Sequence, residues 1–505
     1  MSNHKMTCGL VVFCAAAVFV AGCIPEDSLE WSDDGSVGLL RIDGALYLVD
    51  GNTGELTEVA KANVGALPDI SKDGNLIAYS EEVDCDSLSK GLGLLPPGQV
   101  KMIEHFAGQM KKKVLDTYEQ SREVVNPFQI QEGHPPHENC LEWAVRYLCE
   151  NADNEFARIL GPDKIEEGRK KSISYFQVVV APRENPAQKH IVTANVLTTM
   201  ATQLSPDGKL IAYLMETQEG KPDNVSDGYG LYVASLKGGI KGMLVGHSVA
   251  AGYDWREDAK AIAYLESDSE YLGSLKERVI ADANGNLFAK QSEVPEQGAI
   301  RTHNCTHTTK ILAGVFFYPW QKVRYGSGGR IFFSSCVMSL PTTNVGDDPI
   351  WSLFCYDSVT GTVTDVLPQC VSYHTSQAIS MSQFALSPDG KRVLLPIKYN
   401  RFVGYDLGGE DPEDSMGIPI EEDEGFGEED GLDLAPSWKG NNEISFLVSE
   451  NSHFLPKAEE GKEKNAREEI VILNTEDGQS RILSGNWPDE IMGGSKDDQK
   501  QEEQK

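Results

Sequence analysis

Short stretches of alternating apolar and polar residues recur along the chain, and each follows a polar turn that contains Asp or Gly. A period of two places successive side chains on opposite faces of a strand, so each stretch predicts a half-buried strand entered through a tight hairpin. The clearest copies are WSDDGSVGLL at 31–40, SKDGNLIAY at 71–79, SPDGKLIAYL at 205–214 and SPDGKRVLL at 387–395. Weaker copies lie at 255–265, 318–334 and 438–447.

Each copy is followed by further strands before the next copy begins. ALYLVDGNTGEL starts at Ala45 after the first copy, and EIVILNTEDG starts at Glu469 after the last. With the strand that precedes each turn, every repeat supplies four strands, and four-stranded repeats spaced by about 40 to 60 residues are typical of β-propellers. The pattern predicts an all-β propeller over 23–485 with about seven four-stranded blades. Six blades are an alternative, and eight follow if 268–312 contain another repeat.

Turn sequences such as SPDGKLIAY at 205–213 and SKDGNLIAY at 71–79 resemble the TolB-type propeller repeat, in which Trp-Ser-Pro-Asp-Gly-Lys is followed by Ile-Ala-Phe or Ile-Ala-Tyr. The likeness covers nearly all of the mature chain apart from one insertion. The resemblance implies a TolB-like fold, which in TolB itself has six blades. The chain departs from TolB because its first repeat begins eight residues after Cys23, whereas TolB carries a separate α/β domain before its propeller. The partners of TolB are therefore not carried over.

The Asp-Gly pairs of the repeats are expected to be structural. Glycine takes a positive φ at little cost, and a short acidic side chain accepts hydrogen bonds from a tight turn. These roles are assigned to Gly35, Gly74, Gly208 and Gly390, and to the preceding Asp34, Asp73, Asp207 and Asp389.

A helical periodicity interrupts the second repeat. Apolar residues recur every three or four positions from Val100 to Tyr118 and again over 138–149, which predicts amphipathic helices. The next strand of that repeat, YFQVVV, comes only at 175–180. We therefore expect a small α-helical insertion at 86–172 within blade 2. It either caps the channel and binds a partner or decorates the edge of the propeller.

The amino terminus has the pattern of an export signal. Residues 1–22 combine one basic residue, Lys5, with an apolar run too short to span a bilayer comfortably. The sequence VAGC at 20–23 resembles the bacterial lipobox, which implies that residues 1–22 are a lipoprotein signal peptide and that Cys23 carries the lipid. The protein is then anchored in the bacterial cell envelope, and Ile24 after the cysteine favours the outer over the inner membrane.

The chain carries 77 acidic and 45 basic residues, for a formal net charge of −32. Such a surface repels phosphate backbones, so nucleic acid is excluded as a partner. An acidic loop is predicted at 408–434, and a disordered polar tail at 486–505. The loop lacks the spacing of an EF-hand, so no cofactor is predicted, although a structural divalent cation fits its charge.

The histidines and cysteines give few candidate ligands. His303, Cys305 and His307 alternate, so in a strand they share one face, and these residue types suit zinc or copper. Side chains on a single strand diverge, so no complete metal site is predicted. Seven cysteines follow Cys23, and an exported chain permits disulfides, but their connectivity stays open. The candidates are Cys336 with Cys355, Cys305 with Cys370, and Cys85, Cys140 and Cys149 around the helical insertion.

No enzyme signature is present. The chain has no Gly-x-Ser-x-Gly elbow, no His-Glu-x-x-His and no phosphate-binding loop. The sequence therefore predicts a membrane-anchored, non-catalytic binding scaffold for an envelope protein, a peptide or a glycan. The alternative is a metal-assisted polysaccharide lyase or hydrolase with its site at the propeller mouth, because propellers support both roles.

Lipidation of Cys23 predicts a specific mass for the mature protein. We expect cleavage before Cys23 and an amino-terminal residue heavier by its acyl chains, because these chains are what hold the protein to the membrane. Intact-mass spectrometry of the protein from its own envelope checks this. A chain that retains residues 1–22, or that begins at an unmodified Cys23, contradicts the prediction.

Overall fold

The computed structural model describes the chain in separate segments. These are 28–124, 138–216, 229–237, 242–250, 252–267, 296–304, 308–317, 321–337, 350–366, 384–398, 401–407, 436–448 and 469–483. Cys23, the predicted signal peptide at 1–22, the acidic loop at 408–434 and the tail at 486–505 lie outside these segments. Within them, no helix is long and apolar enough to cross a membrane.

Antiparallel strands build most of the described secondary structure. The first sheet contains β1 (Ser28–Trp31), β2 (Val37–Ile42), β3 (Ala45–Asp50) and β4 (Leu56–Ala60). The second contains β5 (Asp69–Ile70), β6 (Leu76–Asp84), β7 (Ser174–Pro182) and β8 (His190–Asn195). The third contains β9 (Thr199–Leu204), β10 (Leu210–Glu216), β11 (Tyr229–Ser235), β12 (Met243–Val249), β13 (Asp254–Trp255), β14 (Ile262–Ser267), β15 (Glu296–His303) and β16 (Thr308–Phe317).

Three smaller sheets complete the described propeller. The fourth contains β17 (Val323–Tyr325), β18 (Arg330–Val337), β19 (Ile350–Asp357) and β20 (Thr362–Asp365). The fifth contains β21 (Ala385–Leu386), β22 (Arg392–Lys398) and β23 (Arg401–Asp406). The sixth contains β24 (Ser437–Lys439), β25 (Glu443–Val448), β26 (Glu469–Asn474) and β27 (Ser480–Leu483).

The prediction of seven separate blades is wrong, because the described strands form six hydrogen-bonded sheets. The third and fourth repeats share one eight-stranded sheet, since Val249 at the end of β12 pairs with Glu266 of β14. The region considered for an eighth blade supplies β15 and β16, which extend that same sheet outward from β14. All seven repeat turns nevertheless precede a strand of a sheet, so the repeats themselves are present.

The repeat turn has the geometry that its sequence predicts. In the first copy, Asp34 Oδ1 accepts hydrogen bonds from Ser32 Oγ at 2.7 Å and from the Ser36 amide at 2.9 Å. In the third copy, Asp207 Oδ1 accepts from Ser205 Oγ at 2.8 Å. The glycine that follows has φ near +65° in four copies: Gly35, Gly74, Gly208 and Gly390 have φ of 67°, 68°, 63° and 66°. The Asp and Gly roles are confirmed.

The sheets close into a ring through their innermost strands. Trp31 on β1 donates from Nε1 to Ser445 Oγ on the sixth sheet at 2.7 Å, which joins the first sheet to the last. Apolar side chains of both sheets meet beside this bond, including Leu40, Ile470 and Ile472. The closure therefore depends on side chains, since no strand of the first sheet pairs with the sixth.

The described residues of the insertion form five helices, which lie between β6 and β7. They are α1 (Leu88–Leu94), α2 (Pro97–Ser121), α3 (Glu138–Glu150), α4 (Asn154–Leu160) and α5 (Pro162–Arg169). Pro97 begins α2 at a position where its missing N–H costs nothing, and Arg122 ends the helix in the left-handed conformation with φ of 62°. The side chains of α2 that are buried recur at helical spacing, namely Ile103, Ala107, Met110 and Val114.

The insertion is fixed to the propeller by buried polar contacts. Trp143 of α3 is fully buried, and its Nε1 donates to the Ser174 carbonyl of β7 at 2.6 Å. Gln99 of α2 donates to Asn195 Oδ1 at 3.0 Å and accepts from the Val196 amide at 2.7 Å. The helices therefore share a hydrophobic core with the second and third sheets.

The cysteines that the structure describes with their side chains are not cross-linked. Cys85, Cys140, Cys149 and Cys355 are buried and carry reduced thiols. Cys336 and Cys355 lie on neighbouring strands as predicted, but Cys336 pairs in register with Trp351 and Cys355 with Phe332. Four positions of register separate them by about 13 Å along the strand, which is too far for a disulfide. Cys305 and Cys370 lie outside the described residues.

Gly35 and Gly208 provide a matched test of ring closure. An added Cβ at Gly35 would lie 2.9 Å from Lys439 Cγ and 3.2 Å from the Gly440 amide of the last sheet, whereas at Gly208 nothing is nearer than 3.8 Å. Both alanine variants carry the left-handed penalty of about 1–2 kcal/mol. We expect Gly35→Ala to lower the free energy of unfolding by about 1–3 kcal/mol more than Gly208→Ala, from the added steric clash. If denaturant titrations show that both variants lose the same free energy of unfolding, close packing between the first and last sheets is contradicted.

Candidate functional site

Of the three weak metal candidates, only His303 lies within the described residues, and it does not line the central pocket. His303 is the last residue of β15, and its buried side chain places Nδ1 3.1 Å from Thr308 Oγ1. It is absent from the wall of the central pocket, which the innermost strands form. Cys305 and His307 lie outside the described residues. Within the part of the chain that is described, no group of three His, Cys, Asp or Glu side chains could hold a metal ion.

The candidate site is a central pocket of about 430 Å³. Its wall includes residues from the first strand of every repeat, namely β1, β5, β9, β13, β17, β21 and β24. Along β1 the burial alternates: Leu29 and Trp31 are buried, Ser28 and Glu30 are less buried, and all four line the pocket. The pleat of a strand places alternate residues on opposite faces, so Glu30 lies on the less buried face of β1.

One repeat position supplies the polar ring of this pocket. It is the residue directly before the large side chain that begins each turn sequence, such as Trp31, Leu204 or Trp255. In repeat order, this position is Glu30, Asp69, Gln203, Asp254, Arg324, Ala385 and Ser437, and all seven line the pocket. Sequence reasoning missed the ring. The signal was available, because aligning the seven repeats places four ionisable residues in one column.

Two carboxylates of the ring join neighbouring repeats by the same bond. Asp69 Oδ2 accepts from the Leu204 amide of the next repeat at 2.7 Å. Asp254 Oδ2 accepts from the Tyr325 amide of the repeat after it, also at 2.7 Å. Asp254 Oδ1 accepts from Gln203 Nε2 at 3.0 Å and lies 3.8 Å from an Arg324 guanidinium nitrogen. The ring therefore both lines the pocket and ties its strands together.

Burial shifts the protonation of the charged side chains in the pocket. It raises the pKa of Asp69 to about 8, against the opposing effect of the Leu204 hydrogen bond. It also raises the pKa of Asp254 despite the nearby Arg324. Burial lowers the pKa of Lys322 to about 8, and repulsion from Arg324 acts in the same direction. A charge in this pocket is thus poorly solvated and is stabilised by an opposite charge brought close to it.

The two central cations lie on one strand segment. Lys322 immediately precedes β17 and Arg324 lies within it, and both line the pocket. The stem of Lys322 passes so close to Gly252 that a Cβ there would lie 2.7 Å from Lys322 Cγ. Main-chain bonds from the Gly252 amide to the Gln321 carbonyl, at 3.1 Å, and from the Val323 amide to the Gly252 carbonyl, at 3.2 Å, hold the two segments together. The backbone around Lys322 is therefore well fixed.

Carboxylates outnumber cations around the pocket. Its wall contains Glu30, Asp33, Asp69, Asp254, Glu257 and Asp389 against Lys72, Lys322 and Arg324. Asp33, Lys72, Glu257 and Asp389 belong to the repeat turns, so they mark one mouth, and Asp33 donates from its amide to the Lys72 carbonyl at 2.9 Å. Among the described residues of the helical insertion, at 86–124 and 138–172, none is part of this wall.

Comparisons with known proteins find resemblance in fold and none in sequence. No protein-family profile matches the chain, and no curated protein matches it. Solved structures with a similar fold include hydrazine synthase of Kuenenia stuttgartiensis, at 9% identity over 91% of this chain and 95% of that one, with a TM-score of 0.42. An acylaminoacyl peptidase matches at 10% identity over 91% of this chain and 52% of its own, with a TM-score of 0.43. A putative TolB from Agrobacterium tumefaciens matches at 11% identity over 59% of this chain and 84% of its own, with a TM-score of 0.33.

Sequence identities this low indicate a similar fold and nothing more, so no activity of these proteins is assigned to this chain. The assignment of a propeller rests on the strand order of this chain and on the convergence of its first strands around one pocket.

Asp69 predicts a pH dependence of stability. Its folded pKa of about 8 lies above its ordinary value of 3.8, so the folded state binds the extra proton and loses stability as the pH rises between these values. The free energy of unfolding falls by up to about 1.4 kcal/mol per pH unit from this group. Asp69→Asn keeps an acceptor for the Leu204 amide and removes the titration. We expect this variant to lose less stability than the wild type between pH 5 and 8.

Denaturant titrations at several pH values measure this difference. Asp116→Asn, which removes one exposed carboxylate from α2, is the control for the change in net charge. Parallel pH profiles of the wild type and Asp69→Asn would show that Asp69 titrates in its ordinary range.

Proposed function

We propose that this protein is a lipoprotein of the bacterial cell envelope, anchored through Cys23, that acts as a non-catalytic binding scaffold. Its partner is an envelope protein, a peptide or a glycan, and part of that partner enters the central pocket. The lipid holds the propeller to the membrane, by preference the outer membrane. Nucleic acid is not a partner, because the net charge of −32 opposes it.

The central pocket is the observation that carries the proposal. Its volume of about 430 Å³ lies within the range of pockets that hold small ligands or the end of a chain. Its wall presents charged groups on strands fixed by ladders and by cross-repeat bonds such as Asp69 to Leu204. A rigid wall loses little freedom on binding, which favours recognition.

The helical insertion supplies a second surface. Its helices are anchored by Trp143 and Gln99, and they add exposed polar faces beside the second and third sheets. Since its described residues do not line the pocket, the insertion supports the docking of a partner's body while the pocket receives one group of that partner.

The metal-assisted lyase or hydrolase remains the alternative function, and the described geometry does not favour it. That function needs ligands at the propeller mouth, whereas His303 lies on β15 and is not part of the pocket wall. The acidic loop at 408–434, considered for a divalent cation, lies outside the described residues.

A capture experiment with charge-reversed variants tests the binding role. The tagged full chain is incubated with detergent-solubilised envelopes, beside Glu257→Lys at the pocket mouth and Glu55→Lys, an exposed residue in the turn before β4. The two variants share one charge change, but only Glu257 lines the pocket, and Glu55 is also outside the helical insertion. We expect Glu257→Lys to reduce recovery of the partner by about tenfold, as for a charged contact at a binding site, and Glu55→Lys to have no effect.

The same three proteins on a glycan array extend the test to carbohydrate partners. Equal capture by all three proteins places the binding surface away from the pocket. Reproducible hydrolase or lyase activity of the purified protein would overturn the non-catalytic role.

A further inference from the structure

The pocket carries opposite charges on its two sides. The first strands of the repeats follow one another around the ring, so β17 is three strands away from β1 in one direction and three strands away from β5 in the other. Glu30 and Asp69 lie on β1 and β5, which contact each other. Lys322 and Arg324 belong to the β17 segment. The acidic pair and the basic pair therefore face each other across the pocket.

The basic side has a cation without a direct ion pair. Arg324 lies 3.8 Å from Asp254 Oδ1 and donates to the Tyr253 carbonyl at 3.5 Å. Lys322 makes no ion pair with any carboxylate of the described residues, and repulsion from Arg324 acts on it together with a smaller attraction from Glu30. An anionic group that enters from the pocket would be attracted by both cations, and the guanidinium suits the planar shape of a carboxylate.

The acidic side is likewise open to a ligand. The hydrogen bond from Leu204 uses one oxygen of Asp69, Oδ2, which leaves the other oxygen for a donor in the pocket. Glu30 lines the pocket and forms no ion pair with a basic side chain of the described residues. Two carboxylates on adjacent strands suit an ammonium group, which donates three hydrogen bonds.

We propose that the pocket binds a ligand with both an ammonium and a carboxylate group, that is, a free amino acid or a short peptide. The carboxylate binds to Lys322 and Arg324, and the ammonium binds to Glu30 and Asp69. This inference rests on the proposed binding role and names the chemistry recognised there. The raised pKa of Asp69 and the lowered pKa of Lys322 agree with it, since each charge gains from a partner of opposite sign.

Calorimetric titration of the full chain in detergent tests the proposal. The probes are free dipeptides in pools sorted by apolar, polar, acidic and basic side chains, followed by the best single dipeptide, its N-acetyl form and its carboxyl-terminal amide. We expect each blocked form to bind about tenfold or more weakly than the free dipeptide, because each lacks one charge-assisted contact.

Two variants test which end of the dipeptide contacts which side of the pocket. Lys322→Met should weaken binding of the free dipeptide and of the N-acetyl form about tenfold and leave the amide unchanged. Glu30→Gln should weaken the free dipeptide and the amide and leave the N-acetyl form unchanged. Lys112→Met and Glu119→Gln on α2 make the same charge changes away from the pocket and should bind like the wild type. Thermal melts show whether each variant is folded.

The proposal is overturned if no pool binds, or if the two pocket variants weaken all three probes equally. If no pool binds but capture from envelopes still depends on Glu257, only this inference fails and the scaffold role stands. If a dipeptide binds as expected but capture does not depend on the pocket mouth, the ligand assignment stands and the scaffold role fails.

Discussion

The closure of the inner strands into a ring is the constraint on which the rest of the structure depends. Short strands such as β5 and β13 have only two residues, so main-chain ladders alone cannot hold them. Side chains provide the missing bonds, as in Trp31 to Ser445, Trp255 to the Gln203 carbonyl at 3.3 Å and Trp438 to the Ala385 carbonyl at 3.0 Å. In each case an indole N–H reaches the preceding repeat, so tryptophan at one repeat position links three pairs of neighbouring repeats.

The same ring explains why charged side chains are present deep in the protein. Asp69 and Asp254 accept amide hydrogen bonds from the next repeat, which offsets part of the cost of burying a carboxylate. The remaining cost is visible in the raised pKa of both groups and in the lowered pKa of Lys322. A wall that holds poorly solvated charges in fixed positions is suited to binding a ligand of complementary charge, and the same groups stabilise the wall.

The described helices of the insertion and the pocket lie on different strands. Gln99 and Trp143 fasten the helices to β8 and β7 of the second sheet, away from the innermost strands that form the pocket. The arrangement places a polar helical surface at the periphery of the propeller and a charged pocket at its centre.

The sequence alone determined the local structure of this protein. Alternating residues and Asp-Gly turns specify the hairpins, because their chemistry acts within a few residues, and the spacing of Ile103, Met110 and Val114 specified α2 in the same way. Only the tertiary structure decided which repeats share a sheet, since the pairing of Val249 with Glu266 joins strands of different repeats. It also decided where the site lies: Glu30, Asp69, Lys322 and Arg324 are up to 294 positions apart in the sequence and meet only after the ring closes. A single repeat carries no signal for a pocket formed by long-range closure, and only the alignment of all seven repeats places Glu30, Asp69, Asp254 and Arg324 in one column.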